Sequence, residues 1–303
     1  MSTRDWVGID WGSTHRRAWH FRDGALLARQ SDDQGLLACA PHFEAALVAL
    51  LQRFGLAPGG CRVVMSGMVG SAQGWHEVAY LDARLPLSNW RDGLVPVPGT
   101  ADCWIVPGCR WRDGDAVDVM RGEETQLLGA QALPGTGDGW YVLPGTHSKW
   151  VRLQGGRVVV LRTYLSGELY ALLSQHGTLA PLLQGTADVA GTPGAAGAFE
   201  QGFAAAREGA LSHGLFGVRA RVLAGDLRRE LASAWLSGLL LGSEWQDLAA
   251  RHGRPDGSVR VIGSPALAAW HARCGELLGL GTQVLDVEAV QVAAWQALGA
   301  TPA

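Results

Sequence analysis

The chain has 303 residues, 48% of them hydrophobic, with a formal net charge of -3 and a pI near 6.3. That length accommodates two domains with real cores, and the charge balance excludes the basic footprint of a nucleic-acid-binding protein. Five scattered cysteines (39, 61, 103, 109 and 274) without a Cys-x-x-Cys pair exclude a disulfide framework and a zinc site, and the most apolar helical stretch, residues 232–241, is too short to span a bilayer.

In chain order, Met1 to Asp5 carries no apolar signal region, so a cytoplasmic protein is expected. Residues 6–10 read as a buried strand and Trp11-Gly12-Ser13-Thr14-His15 as a tight turn. A strand at 16–21 follows, then the Asp23-Gly24 hairpin and a third strand at 25–28. Residues 41–54 have helical spacing at Phe43, Leu47, Leu50 and Leu51. A short strand at 62–65 opens into the Gly-rich segment Ser66-Gly67-Met68-Val69-Gly70-Ser71, where open α/β sheets place ligands. After a strand at 103–106, Asp118-Val119-Met120-Arg121-Gly122 leads into a helix over 123–132. Residues 134–139 are the clearest linker, and their Gly-x-Gly-x-Gly precedes a strand, which excludes a dinucleotide loop.

The second half repeats the opening plan. A strand at 140–143, the turn Gly145-Thr146-His147-Ser148, a strand at 150–153, the Gly155-Gly156 hairpin and a strand at 157–161 form a second meander. Asp-Gly and Gly-Gly suit hairpins because the favoured turns need positive φ. Helices are expected at 167–176, 196–211 and 227–252, with 177–194 an irregular stretch. A strand at 259–262 ends in Gly263-Ser264, which would let a flat base approach the backbone; a helix at 266–278, a strand at 283–285 and a helix at 287–298 complete the chain.

Turns rich in Gly, Ser and Thr present amide and hydroxyl donors that suit phosphate oxygens. Two of them, one per half and facing across a cleft, would hold a nucleotide. Beside the second stands Lys149, the only lysine among 25 basic residues. A lone ammonium there suits a phosphoryl group as a compact point charge, for which the planar guanidinium is not interchangeable. The competing reading of Lys149 is a solvated strand-end residue. On the phosphate reading it is expected to carry little packing.

The duplicated meanders, the helix opening Glu123-Glu124-Thr125 and the late Gly263-Ser264 turn resemble the actin, heat-shock-70 and sugar-kinase superfamily. Within it, Ile9-Asp10-Trp11-Gly12-Ser13-Thr14, Gly67-Met68-Val69-Gly70-Ser71, Gly74-Trp75-x-Glu77, residues 118–126 and Leu143-Pro144-Gly145-Thr146-His147-Ser148-Lys149-Trp150 resemble the 2-dehydro-3-deoxygalactonokinase family over essentially the whole chain. The resemblance implies an α/β fold of two ribonuclease-H-like (actin-like ATPase) lobes around a nucleotide cleft, residues 1–135 and 136–303, with the last helix returning to the first lobe. It also implies ATP-dependent phosphorylation of a small sugar acid, 2-dehydro-3-deoxy-D-galactonate, at its 6-hydroxyl.

By position, Asp10 resembles the aspartate that holds Mg²⁺, Gly12, Ser13 and Thr14 the first phosphate motif, and Gly145, Thr146, His147, Ser148 and Lys149 the second. Leu143 and Pro144 stand where the wider superfamily often has an aspartate. The catalytic base is therefore expected at Glu123, with Glu124 and Asp118 as reserves. The keto-acid carboxylate calls for a bidentate arginine, for which Arg17 and Arg121 are candidates; Gly70, Ser71, Trp75 and Glu77 are expected along the sugar-acid chain. For Glu123 the alternative role is helix capping, for the arginines a surface ion pair, and for Trp75 the core. A kinase for another hexonic or keto-deoxy acid and a non-catalytic nucleotide-binding regulator are the competing functions. No nucleic acid or membrane partner is expected, and a homodimer is left open.

Overall fold

The computed structural model describes residues 5–184 and 192–299. The chain divides into two compact units: Met1–Asp138 with Val151–Leu161 and Asp286–Ala303, and Gly139–Trp150 with Arg162–Leu285. The first unit takes in the last helix and also residues 151–161.

The first half opens with β1 (Asp5–Trp11), β2 (Arg16–Arg22) and β3 (Ala25–Asp32), followed by a short helix α1 (Leu36–Cys39) and α2 (Phe43–Arg53). Strands β4 (Arg62–Gly67), β5 (Leu81–Asp82), β6 (Val95–Pro96), β7 (Cys103–Ile105), β8 (Cys109–Asp113) and β9 (Ala116–Met120) lead to α3 (Glu123–Ala132). The six-stranded sheet runs β3-β2-β1-β4-β7-β6. Its β1–β2–β3 part is an antiparallel meander, and β1, β4 and β7 are parallel.

The second half has β10 (Gly139–Leu143), β11 (Ser148–Gln154), β12 (Arg157–Tyr164), α4 (Ser166–Gln175), α5 (Ala180–Leu183), α6 (Ala195–Ala205), α7 (Leu211–Ala224), α8 (Ala232–His252), β13 (Val259–Val261), α9 (Pro265–Leu277), β14 (Thr282–Val284) and α10 (Val287–Gly299). Its sheet runs β12-β11-β10-β13-β14, with β10, β13 and β14 parallel. Each half thus has the same order: a three-stranded meander whose first strand has a parallel neighbour, followed by a second parallel strand. The two meanders lie on different sheets.

Local chemistry accounts for these elements. Both hairpins have positive φ at their two central residues, 50° and 81° at Asp23 and Gly24, and 57° and 67° at Gly155 and Gly156, which matches the right-handed twist of the strands they join. Strand β1 is buried almost throughout because it is central and covered on both faces. On one side Trp295 of α10 lies where a Cβ on Gly8 would sit, which explains the glycine in an otherwise bulky strand. Helix α10 also packs against α3, with Val290 O and Ala294 close over Gly129.

Three expectations need correction. The helix expected over 196–211 ends at Ala205, and an unanticipated helix, α7, begins at Leu211. Only Val218 of α7 is buried, so its apolar stripe is too weak to stand out in the sequence. The helix expected from 227 starts at Ala232, after extended Arg228 and a single 3-10 turn. Within 177–194, residues 180–183 form α5, while 185–191 lie outside the described residues. Strands β5, β8 and β9 form a small separate sheet that no periodicity announced. Among the described residues no helix is long and apolar enough to cross a membrane.

Candidate active site

In the first unit the site gathers at the C-terminal ends of β1 and β4. Asp10 is in register with Ser66 across these parallel strands. Its Oδ2 accepts from Arg17 Nη2 at 2.6 Å, so the arginine proposed for substrate is engaged by the carboxylate proposed for metal. The turn that follows is closed by Gly12 N donating to His15 O at 3.0 Å, and the side chains of Ser13 and Thr14 are exposed. Gly67 has a φ of 94°, and a Cβ there would lie 2.8 Å from Trp11 O and 3.4 Å from Asp10 Oδ1. Only glycine lets β4 end against the Asp10 carboxylate.

The N-terminus of α3 meets the same place, with Gly122 above Gly67. Gly122 N donates to both oxygens of Glu124, at 2.9 and 2.8 Å. Glu124 is 1% exposed, and the hydroxyls of Ser66 and Thr125, 2.7 Å apart, lie beside it. Burial, and next the charge of Glu123, pushes its pKa up to about 8 against the pull of the Gly122 amide. Glu123 is only half-buried and accepts from Arg121 N at 3.1 Å. Asp118, on β9, accepts from its neighbour's amide, Val119 N, at 2.8 Å. Of the three acids, Glu124 is committed to the cap and the β4 hydroxyls.

A pH dependence follows for Glu124. Its folded-state pKa lies above the ordinary glutamate value of 4.5, so its contribution to stability is fully present below that value and fades as pH rises through about 8. Glu124→Gln keeps an acceptor for Gly122 and has no proton to lose. The difference in melting temperature between variant and wild type should move in the variant's favour from about pH 5 to about pH 9. A difference constant across that range would mean that Glu124 is already ionised in the fold at the acid end.

Arg121 lies close to Gly70, where a Cβ would approach its Nη1 to 2.8 Å. Its guanidinium stands over the Tyr80 ring at 4.4 Å and donates from Nη2 to Val78 O at 2.7 Å. The buried Nε and Nη1 have no hydrogen-bond partner. Ser71 spends its hydroxyl on Met68 O, 2.8 Å away, and Glu77 is exposed. Trp75 stacks on Phe43 at 6.4 Å and meets Trp11 edge-on, packed against the core of the first unit. These contacts seat Trp75, itself half-buried, on the edge of that core.

In the second unit, Lys149 is 6% exposed and its Nζ donates to Thr163 Oγ1 at 3.0 Å. It is neither solvated nor free of packing, which overturns both the strand-end alternative and the expectation of little packing. The reason is that β11 begins at Ser148, so Lys149 is a strand residue. Its neighbours Ser148 and Trp150 both donate to Glu244 Oε2, each at 2.8 Å. Because side chains alternate along a strand, Lys149 lies on the opposite face. Glu244, on α8, is fully buried, and burial raises its pKa against the hydrogen bonds from Ser166, Trp150 and Ser148. It is a polar anchor of the second turn that sequence reasoning missed, since its partners lie 96 and 94 residues away.

A cavity of about 440 Å³ lies against this turn. Thr146, Ser148 and Glu244 contribute its polar lining, and Leu240, Leu267 and Trp270 apolar lining. Such a mixture of apolar walls with few polar groups is typical of small-molecule sites. His147 pairs outside with Glu168 at 2.6 Å. Ser264 Oγ caps α9, accepting from Leu267 N, and a Cβ on Gly263 would meet Pro144 Cγ at 2.6 Å. The glycine at 263 is thus required by Pro144, at the edge of the second turn.

A repeated meander with two parallel additions, and a glycine-containing turn after the first strand of each half, defines the actin-like ATPase and sugar-kinase class of folds. The family model of 2-keto-3-deoxy-galactonokinase matches residues 10–298, and the chain belongs to that family. An Escherichia coli (strain K12) protein named 2-dehydro-3-deoxygalactonokinase is 38% identical over 80% of this chain and 80% of its own length. A Rhizobium meliloti (strain 1021) protein assigned the same name is 35% identical over 93% of this chain and 92% of its own. A crystal structure of a Sinorhizobium meliloti protein assigned as a 2-dehydro-3-deoxygalactonokinase superposes with a TM-score of 0.87 at 33% identity, covering 97% of this chain and 95% of that one.

Proposed function

We propose that the protein is an ATP-dependent kinase that phosphorylates 2-dehydro-3-deoxy-D-galactonate on its 6-hydroxyl in galactonate catabolism. The family membership supports the reaction, and the observation that carries the substrate class is Arg121: a buried guanidinium with two unpartnered donor nitrogens beside Gly70. A carboxylate is the natural counter-charge for such a guanidinium. The cytoplasm, where ATP is made, is the compartment this reading implies.

Phosphoryl transfer needs positioning and neutralised charge more than covalent help from the protein. On this reading the two turns supply amide donors to the ATP phosphates, and Lys149 supplies a cation. Asp10, a partly exposed carboxylate at a strand end, fits Mg²⁺, which keeps most of its waters and takes one or two protein carboxylates. Among the described residues no three metal-binding side chains converge, so Asp10 would hold the ion with water and phosphate. Bound Mg²⁺ would neutralise charge on the phosphates. Glu123, less buried than Glu124 and not committed to the Gly122 cap, is the group that would accept the proton of the substrate hydroxyl.

The test is coupled ADP release across a panel of acids: the galactonate-derived keto acid, its C4 epimer, the parent hexonates, and neutral sugars. The galactonate-derived acid should have the highest kcat/KM and the neutral sugars none. Preference for the epimer would reassign the substrate within the kinase reading, and no ADP with any acid would favour a regulator. Arg121→Met should raise KM for the acid by roughly tenfold to a hundredfold, the loss expected of charge-assisted hydrogen bonds, with KM for ATP unchanged. An unaltered KM for the acid would remove Arg121 from the site.

A further inference from the structure

In each half of the chain, the segment after the third meander strand returns to the turn between the first two strands. In the first half this segment opens α1. The amides of Gly35, Leu36 and Leu37 donate to the carbonyls of Thr14, Gly12 and Ser13 at 3.1, 2.9 and 3.1 Å. In the second half it opens α4, where Glu168 N donates to Thr146 O at 2.9 Å. Each segment carries a glycine pressed against turn backbone. A Cβ on Gly35 would lie 2.5 Å from Ser13 O and 2.6 Å from Thr14 N; one on Gly167 would lie 2.1 Å from Gly145 O. Gly35 has an ordinary φ of -71°, so closeness and not backbone freedom is what requires a glycine there.

The consequence follows from peptide geometry. In a planar trans peptide the carbonyl of one residue and the N–H of the next point in opposite directions. Tying the carbonyls of Gly12, Ser13 and Thr14 to α1 therefore aims the amides of Ser13, Thr14 and His15 the other way. Tying Thr146 O to α4 does the same for the amide of His147. None of these four amides donates to a backbone carbonyl in the turn network of either half. The helix starts gain as well, because first-turn amides lack partners within their own helix.

We propose that Gly35 and Gly167 are positioning residues that brace the two turns, holding their carbonyls away from the nucleotide and their amides toward its phosphates. This rests on the reading of the turns as the ATP phosphate sites. Donors fixed in advance cost no reorganisation when phosphate arrives. The same device stands independently in each half.

The test separates phosphate binding from folding by comparing ATP with adenosine, which has no phosphates, in titration calorimetry on the full chain. Leu37 is 76% exposed, so Leu37→Pro deletes one bracing amide with little loss of packing, and proline is tolerated in a helix's first turn. Leu37→Ala keeps the amide and serves as the reference; Gly167→Ala forces the second turn off its brace. Leu37→Pro and Gly167→Ala should each weaken ATP about tenfold, the scale of one lost hydrogen bond, with adenosine affinity unchanged. Leu37→Pro binding ATP as tightly as Leu37→Ala, or weakening ATP and adenosine in parallel, would overturn the proposal even if Gly167→Ala does not fold. Wild-type protein that binds ATP no tighter than adenosine would remove the phosphate reading of the turns as well.

Discussion

Asp10→Asn is expected to lose most Mg²⁺-dependent turnover, on the order of 10², while keeping the fold. The carboxylate that would anchor the ion becomes a neutral amide, and the charge on the transferring phosphoryl group loses its counterweight. Folding should be little affected, because the contact given up is an ion pair with Arg17, whose side chain is 45% exposed, and such pairs contribute about 0 to 1 kcal/mol. Turnover measured against Mg²⁺ concentration, with melting temperature alongside, checks both parts. Wild-type turnover at limiting Mg²⁺ would take Asp10 out of the metal site.

Lys149→Met is expected to lower kcat by about 10² or more with the melting temperature near that of wild type. Methionine is unbranched and flexible, so it can occupy the same buried position while removing the charge and the bond to Thr163. Lys149→Arg should fail differently. The guanidinium keeps the charge, yet its planar fork is larger than a point ammonium, and at a position only 6% exposed it has to displace its neighbours. Activity and melting temperature should both fall, since overpacking a buried site typically costs about 1 to 3 kcal/mol. If both variants phosphorylated at the wild-type rate, the site would have to be rebuilt around Arg121.

Much of the fold was legible because its signals are local. The Asp23-Gly24 and Gly155-Gly156 hairpins announced both meanders, and α3 spans the residues its spacing predicted. What escaped depends on distance or brevity. Helix α1 has four residues, β5 has two, and α7 buries one side chain, so none offers a period to read. The candidate site was legible where a motif is continuous, as at residues 10–14 and 145–149, which the fold places at the starts of the two halves. It was opaque where partners come from far along the chain. Glu244 looks like a stray charge in an apolar helix until Ser148 and Trp150 are seen to donate to it. The stacking of Trp75 on Phe43 likewise cannot be read from spacing. Gly35 and Gly167 did leave a signal, a glycine just after each meander, which only the turns they touch make meaningful.

The most direct test of the kinase reading is the proton-coupled phosphorus NMR spectrum of the product formed from ATP and 2-dehydro-3-deoxy-D-galactonate. Transfer to the terminal hydroxyl should give ADP and one phosphomonoester in equal amounts, the phosphorus coupled to the two methylene protons of C6. Coupling to a single methine proton, or ADP accompanied by inorganic phosphate alone, would contradict it.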